Sequence, residues 1–156
     1  MARPLYEHTQ VGWVLRASFA FGALLLLVVT VAPGMQQVSA PAALLLGGAV
    51  ALLAIGWFWS SLTVRVGDGV LRLQFGLGVP RKSVPVADIA TVEVTRTRFW
   101  EGWGVHRTRR GWLYNVAGFD AVLVRLKDGK SFLVGTDEPR RLKAALDRTM
   151  PAARHG

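Results

Sequence analysis

Residues 13–32 have the sequence WVLRASFAFGALLLLVVTVA, and residues 38–59 have the sequence VSAPAALLLGGAVALLAIGWFW. The first segment holds 20 residues with one charge, Arg16, and the second holds 22 residues with none. A helix of this length spans about 30 Å, at about 1.5 Å per residue, which is the thickness of the hydrocarbon core of a bilayer. Each segment therefore predicts a transmembrane helix.

The five residues between these segments, PGMQQ at 33–37, contain Pro and Gly and no charge. So short a turn predicts an antiparallel helix hairpin. Residues 61–156 carry 17 Lys and Arg against 9 Asp and Glu, although charges far from the membrane count for little. The uncharged turn, Arg3 and Arg16 before it and the nearby Arg65 and Arg72 after it predict, by the positive-inside rule, a multi-pass inner-membrane protein with both termini in the cytoplasm. A cleaved signal peptide is the alternative for the first segment, but its apolar run is longer than usual and Pro33 makes a poor cleavage site.

Both segments carry features typical of packed membrane helices. Trp13, Trp57 and Trp59 fall at the same end of the hairpin, as expected of an aromatic belt at one membrane interface. The small residues Ala43, Gly47 and Ala51 recur every four positions, and we interpret this stripe as packing inside the hairpin rather than as a dimer face. An ion pathway is not indicated, because neither segment contains Asp, Glu, His or Lys.

After the N-terminal tail and hairpin (residues 1–60), residues 61–156 predict a mostly β domain. Apolar and polar residues alternate in several short runs, and Asp68-Gly69 and Asp128-Gly129 supply hairpin turns between them. The segment 100–114 is aromatic and has no clear alternation, so it is expected to be irregular. Predicted strands lie at about 62–66, 71–75, 81–84, 89–98, 121–126 and 131–134.

The end of the chain changes to a helical period. Thr136 is a helix-capping residue type, Asp137 and Glu138 suit a first turn, and Pro139 is tolerated there. Apolar residues then recur at helical spacing and predict an amphipathic helix at about 137–150 that lies on the sheet. Six or seven antiparallel strands closed by one helix is the order of a pleckstrin-homology-like half-barrel, although other barrels share it.

Three motifs carry a family resemblance: WGVH at 103–106, GWLYNVAGFDAV at 111–122 and GTDEP at 135–139. The chain resembles a family of small bacterial membrane proteins with two transmembrane helices and a bacterial pleckstrin-homology-like domain. The resemblance covers nearly the whole chain. It implies the fold and the membrane location, and it assigns no catalytic residue.

Several function classes lack their sequence signals. The chain has no Cys and three His, two of them near the termini, and it contains no zinc-protease, nucleophile-elbow, phosphate-loop or calcium-loop motif. We therefore expect no enzyme, no metal site and no cofactor. The net charge of +9 and pI near 11.3 invite a nucleic-acid interpretation, but behind two membrane helices a basic domain is more typical of contact with anionic lipid.

The segment 96–114 concentrates Arg and aromatic residues. Guanidinium groups bind phosphates and indole rings favour the headgroup level, so this composition is typical of a membrane interface. The alternative is that the Trp rings fill the core and the Arg residues are a solvated face. The candidate contact residues are Arg96, Arg98, Trp100, Trp103, Arg107, Arg109, Arg110 and Trp112.

Two main functional hypotheses follow from these patterns, and a membrane enzyme whose site is assembled only in space is the third alternative. In the first, the hairpin holds a basic, non-catalytic domain at the inner leaflet, where this segment binds anionic lipid headgroups. In the second, the chain is an assembly or regulatory subunit that binds other membrane proteins or copies of itself. Exposure of the Trp rings should distinguish lipid contact from inward packing.

Overall fold

The computed structural model describes residues 4–31, 39–98 and 101–150, which form three α-helices, one short 3-10 helix (Val86–Asp88) and nine strands. The predicted order, two long apolar helices followed by a mostly β domain and a C-terminal helix, is confirmed. The helices are α1 (Trp13–Val31), α2 (Ser39–Trp59) and α3 (Pro139–Thr149). The strands are β1 (Tyr6–Val11), β2 (Ser61–Gly67), β3 (Val70–Phe75), β4 (Arg81–Pro85), β5 (Ile89–Arg96), β6 (Gly104–Thr108), β7 (Gly111–Asn115), β8 (Asp120–Leu126) and β9 (Ser131–Gly135).

Helices α1 and α2 form an apolar hairpin, and both are long and apolar enough to cross a bilayer. They run antiparallel, since Gly56 near the end of α2 lies against Phe19 near the start of α1, whereas Gly48 lies against Leu26. A Cβ added to Gly56 would lie 2.6 Å from the Cβ of Phe19. Glycine at this position therefore permits the close approach of the two helices.

The small-residue stripe of α2 faces away from α1. Ala43, Gly47 and Ala51 are exposed, and a Cβ on Gly47 would meet no atom within 4 Å. Ala23 and Ala49 are buried where the helices meet instead. The prediction that the stripe packs inside the hairpin is wrong because successive helix residues turn by about 100°, which puts Ala49 on the face opposite Gly47 and Ala51.

The single charge of the hairpin, Arg16, is held at the end where the Trp residues lie. Its guanidinium carbon is 5.2 Å from the ring centroid of Trp13 and 4.7 Å from that of Trp57. Its Nε donates a hydrogen bond of 2.7 Å to the Ser60 hydroxyl. Cation–π contacts and this hydrogen bond stabilise the charge one turn into α1, and they confirm that Trp13 and Trp57 lie at one end of the hairpin.

The segment before α1, predicted as a tail, contains a strand of the β domain. Strand β1 pairs antiparallel with β2 over six residues, from Tyr6 opposite Val66 to Val11 opposite Ser61. Tyr6 and Gln10 are buried. The apolar hairpin is therefore inserted between two adjacent strands of one sheet, and the boundary at residue 61 leaves out the first strand of that sheet.

The β domain contains two sheets around a main core, and a second, smaller cluster of buried apolar residues lies within the second sheet. The first has the order β1-β2-β3-β4 and is antiparallel, whereas the second has the order β5-β8-β9-β7-β6 and includes a parallel pair, β7 with β9. The expectation of six or seven antiparallel strands is thus corrected to nine with one parallel pair. Buried residues of both sheets and of α3, such as Leu71, Phe132 and Leu146, share one apolar cluster.

Helix α3 closes the core as its apolar spacing predicts. Leu142, Ala145 and Leu146 are buried. The helix begins at Pro139, two residues later than predicted, because a residue before proline is disfavoured in helical conformation. Asp137 therefore precedes the helix, and its carboxylate lies 2.6 Å from Nε2 of His8 on β1.

The insertion of the hairpin into the β1–β2 pair predicts how the β domain can be released from it. A chain in which residues 13–59 are replaced by Asn-Gly should be soluble, because the apolar helices are removed. The two-residue turn should fit, because Gly12 N already donates to Ser60 O at 2.6 Å and Asn-Gly closes such strand pairs. It should melt cooperatively in circular dichroism. A chain that starts at Ser61 lacks β1 and should melt at a lower temperature, or without cooperativity; equal melting of the two would contradict the role of β1.

Candidate functional site

The end of β5 and the β6–β7 hairpin enclose an open cleft of about 730 Å³. Five guanidinium groups line it against one carboxylate, so the cleft is strongly basic. The candidate arginines from the sequence thus come together in space. The lining residues are Arg96, Arg98, Glu101, His106, Arg107, Thr108, Arg109 and Arg110.

The arginines of the 104–115 segment are displayed by a tight β-hairpin, where the sequence was expected to be irregular. Gly111 has a φ of +115°, and a Cβ there would lie 2.0 Å from the Ser131 carbonyl oxygen. The Thr108 hydroxyl donates to Gly111 O at 2.8 Å and accepts from Arg110 N at 3.2 Å. Alternation failed to predict this hairpin because each face of its strands mixes polar and apolar residues: Arg107 shares a face with Val105, and His106 lies opposite Leu113 on the other.

Arg110 is engaged in holding the cleft together. Its guanidinium donates to the Thr95 hydroxyl at 3.0 Å and to the Arg96 carbonyl at 3.1 Å, both on β5. It also pairs with the Glu101 carboxylate at 3.0 Å. Since β5 and β6 are opposite edges of the second sheet, this side chain joins the two walls of the cleft.

Glu101, which the sequence did not single out, organises the other wall. Its carboxylate accepts a hydrogen bond of 2.6 Å from Arg98 N in addition to the Arg110 pair. Its side chain is only 15% exposed, so this ion pair is shielded more than a surface pair. Arg96 pairs with Asp120 at 3.1 Å, but both side chains are at least half exposed and such pairs contribute little.

Arg107 and Arg109 differ from Arg110. Among the described residues, neither guanidinium has a hydrogen-bond or ion-pair partner, and both side chains are exposed. A guanidinium group presents a planar fork of donors that matches phosphate or carboxylate oxygens. These two residues can therefore bind an anion without breaking an existing pair.

The Trp residues of the segment lie outside the core. Trp112 on β7 is 48% exposed and stands opposite Arg107 in the strand register. Trp103 is partly buried, and its indole donates to Gly118 O at 3.2 Å. The interpretation that these rings fill the core is wrong for Trp103 and Trp112, whereas Trp100 lies outside the described residues.

Trp103 connects the cleft to the apolar hairpin. With Gly104 and Val105 it lines a cavity of about 320 Å³ whose other walls include Phe19 of α1 and Ile55 of α2. Trp103 follows the cleft residue Glu101 by two positions, so at most about 7 Å of chain separates them. The Glu101 side of the cleft therefore lies near the end of the hairpin that carries Arg16 and the Trp rings, whereas Arg107 lies about 13 Å farther along β6, at about 3.3 Å per residue.

Two ionisable groups outside the cleft, Lys82 and His8, join structural elements. The ammonium of Lys82 on β4 lies 4.5 Å from the Phe132 ring centroid on β9, and burial lowers the pKa of this lysine. His8 joins β1 to the start of α3 through Asp137. Within residues 4–31, 39–98 and 101–150, no group of three or more His, Asp or Glu could hold a metal ion.

Comparisons with known proteins leave the site to be interpreted from its geometry. No family model matches the chain. No curated protein matches it either.

The two kinds of arginine should respond differently to substitution. Arg110→Ala should lower the free energy of unfolding by about 1–2 kcal/mol, because it removes three hydrogen-bonding contacts and leaves Glu101 without its cation. Arg107→Ala should change it by less than about 0.5 kcal/mol. Thermal unfolding of the full chain in detergent measures both; equal losses would contradict the division into an engaged and an available arginine.

Proposed function

We propose that this chain is a non-catalytic membrane protein whose apolar hairpin crosses the inner membrane and holds the β domain at the inner leaflet, where the basic cleft binds phosphate groups of anionic lipids. The observation that carries the proposal is the position of the cleft. Its two arginines without partners among the described residues, Arg107 and Arg109, are carried by the β6–β7 hairpin, which begins directly after Trp103, and Trp103 lines a cavity together with residues of α1 and α2.

Exposure of the apolar hairpin supports insertion into a membrane. The most apolar windows of α1 and α2 have mean hydropathies of 2.2 and 2.0, yet only 6% and 11% of their residues are buried. A core helix of a soluble protein would be mostly buried instead. The pairing of β1 with β2 supports retention of α1, since cleavage after α1 would remove an edge strand of the first sheet.

Charge supports the cytoplasmic orientation of both termini. The loop at 33–37 has no Lys or Arg, whereas Arg3 and Arg16 lie near the start of the first helix and Arg65 and Arg72 follow the second, and positive residues this close to membrane helices stay inside. The inner leaflet is also the anionic one, and each basic residue near it contributes about 1 kcal/mol. The pleckstrin-homology-like character of the domain stays a prediction from the sequence motifs.

The second candidate function, binding of another membrane protein or a second copy of this chain, is favoured by one observation. The stripe of Ala43, Gly47 and Ala51 is exposed on the outer face of α2, and small residues let a second helix approach closely. Lipid binding remains the first proposal, because binding through the helix stripe would not account for the basic cleft.

Binding of short-chain lipids to the full chain in detergent tests the proposal. Dioctanoyl phosphatidylglycerol should bind, and dioctanoyl phosphatidylcholine should not, as measured by native mass spectrometry. Arg107→Ala/Arg109→Ala should weaken phosphatidylglycerol binding by about 2 kcal/mol, roughly 30-fold at low salt. The effect should shrink as salt shortens the screening length from about 10 Å at 0.1 M to about 3 Å at 1 M.

The matched control removes the same two charges elsewhere. Arg140 and Arg148 are exposed on α3, and Arg140→Ala/Arg148→Ala should leave binding within about threefold of the parent, a shift of under about 0.7 kcal/mol. If the cleft variant binds like the parent, the cleft is not a headgroup site. If both variants lose affinity equally, net charge rather than the cleft attracts the lipid.

A further inference from the structure

The turn between β3 and β4, residues 76–80, exposes two large apolar side chains. Leu77 is 80% exposed and Val79 is 77% exposed, as much as the outward-facing Leu44 of α2 at 77%. The five residues, GLGVP, contain no charge. Single exposed apolar residues are ordinary on a protein surface, but two neighbours on an uncharged turn form a small apolar tip.

The turn has a fixed backbone. Gly76 N donates to Ser61 O at 3.0 Å, Gly78 N donates to Phe75 O at 2.7 Å, and Phe75 N donates to Pro80 O at 3.0 Å. Ordered main-chain bonds of this kind hold the two side chains outward without help from a core. The exposure of Leu77 and Val79 therefore results from the main-chain hydrogen bonds of the turn itself.

The turn also lies alongside the last turn of α2. A Cβ on Gly76, whose φ is +42°, would lie within bonding distance of the Phe58 carbonyl oxygen, so the two backbones are in direct contact. Pro80 lines the same cavity as Ile55, one helical turn before Trp59. The tip is thus level with the end of the hairpin that carries the Trp residues.

The position of the 76–80 turn indicates that a bilayer, rather than a protein, contacts its apolar tip. The exposed apolar faces of α1 and α2 continue into the tip through Phe58 and Trp59, which are themselves about half exposed. A bilayer that covers the helix faces up to Trp59 would also cover the 76–80 turn, because Pro80 of this turn lies near Ile55. Arg81, directly after the tip, is exposed and has the length to reach headgroup phosphates.

We propose that the 76–80 turn inserts Leu77 and Val79 into the interfacial region of the inner leaflet, as a third membrane contact beside the two helices. The inference rests on membrane insertion of the hairpin under the proposed function, and it does not depend on lipid binding by the arginine cleft. Its partner is the acyl–headgroup boundary of the bilayer rather than a protein.

Cysteine labelling tests this inference, because the chain contains no Cys. Leu77→Cys, Val50→Cys and Ala87→Cys are each spin-labelled in the full chain in liposomes. Val50 is 67% exposed in the middle of α2 and reports lipid. Ala87 is exposed beyond the far end of β4, about 17 Å along the strand from the tip at about 3.3 Å per residue, and reports water.

The accessibility of each label is measured with two reagents. Oxygen concentrates in lipid, whereas a nickel chelate stays in water. The label at position 77 should have a nickel accessibility between those at 50 and 87 and at least fivefold below that at 87, with an oxygen accessibility above that at 87. Nickel accessibility equal to that at 87 would overturn the inference. Shielding from both reagents would also overturn it, since a protein would then cover the tip. A label at 50 that is open to nickel would instead contradict membrane insertion of the hairpin.

Discussion

The β1–β2 ladder is the constraint on which the rest of the structure depends. One residue, Gly12, separates β1 from α1, and one residue, Ser60, separates α2 from β2. Gly12 N donates to Ser60 O at 2.6 Å, and the Ser60 hydroxyl accepts from Arg16. A Cβ on Gly12 would lie 2.4 Å from the Val116 carbonyl oxygen. Two short, bonded connections therefore join the β domain to the hairpin, where one flexible linker would leave it free to rotate.

This coupling gives the surface features of the β domain a definite position relative to the hairpin. The β6–β7 hairpin and the 76–80 turn belong to different sheets, yet both lie near the same end of the helices: Trp103 lines a cavity with Phe19 and Ile55, and Gly76 contacts the backbone of Phe58. A rigid domain lowers the entropy that is lost when such groups meet a surface, so weak contacts become effective. The proposed lipid binding uses only two arginines, Arg107 and Arg109, that have no partner among the described residues, so the proposal depends on this pre-positioning.

The sequence predicted the elements whose signals are local. The apolar segments at 13–32 and 38–59 match α1 and α2 to within about one residue, and Asp68-Gly69 forms its turn with both φ angles positive. Strand β1 was missed because its buried positions, including Gln10, are not consistently apolar, and its partner lies 50 residues or more along the chain. The arginine cleft was predicted as a composition, but the division between Arg110 and Arg107 depends on Glu101 and Thr95, which only the fold brings together.

The most direct measurement of the central coupling is a disulfide across the β1–β2 ladder. Thr9 and Thr63 are paired in register, and their hydroxyl oxygens lie 2.8 Å apart, which suits a disulfide because paired strand residues have Cα atoms about 4.5–5.5 Å apart. In the otherwise cysteine-free full chain in native membranes, Thr9→Cys/Thr63→Cys should cross-link rapidly within one chain under mild oxidation. Thr9→Cys/Thr91→Cys, with the second cysteine on the other sheet, should not. A 9–63 pair that cross-links no faster than the 9–91 pair would contradict the coupling of the hairpin to the β domain.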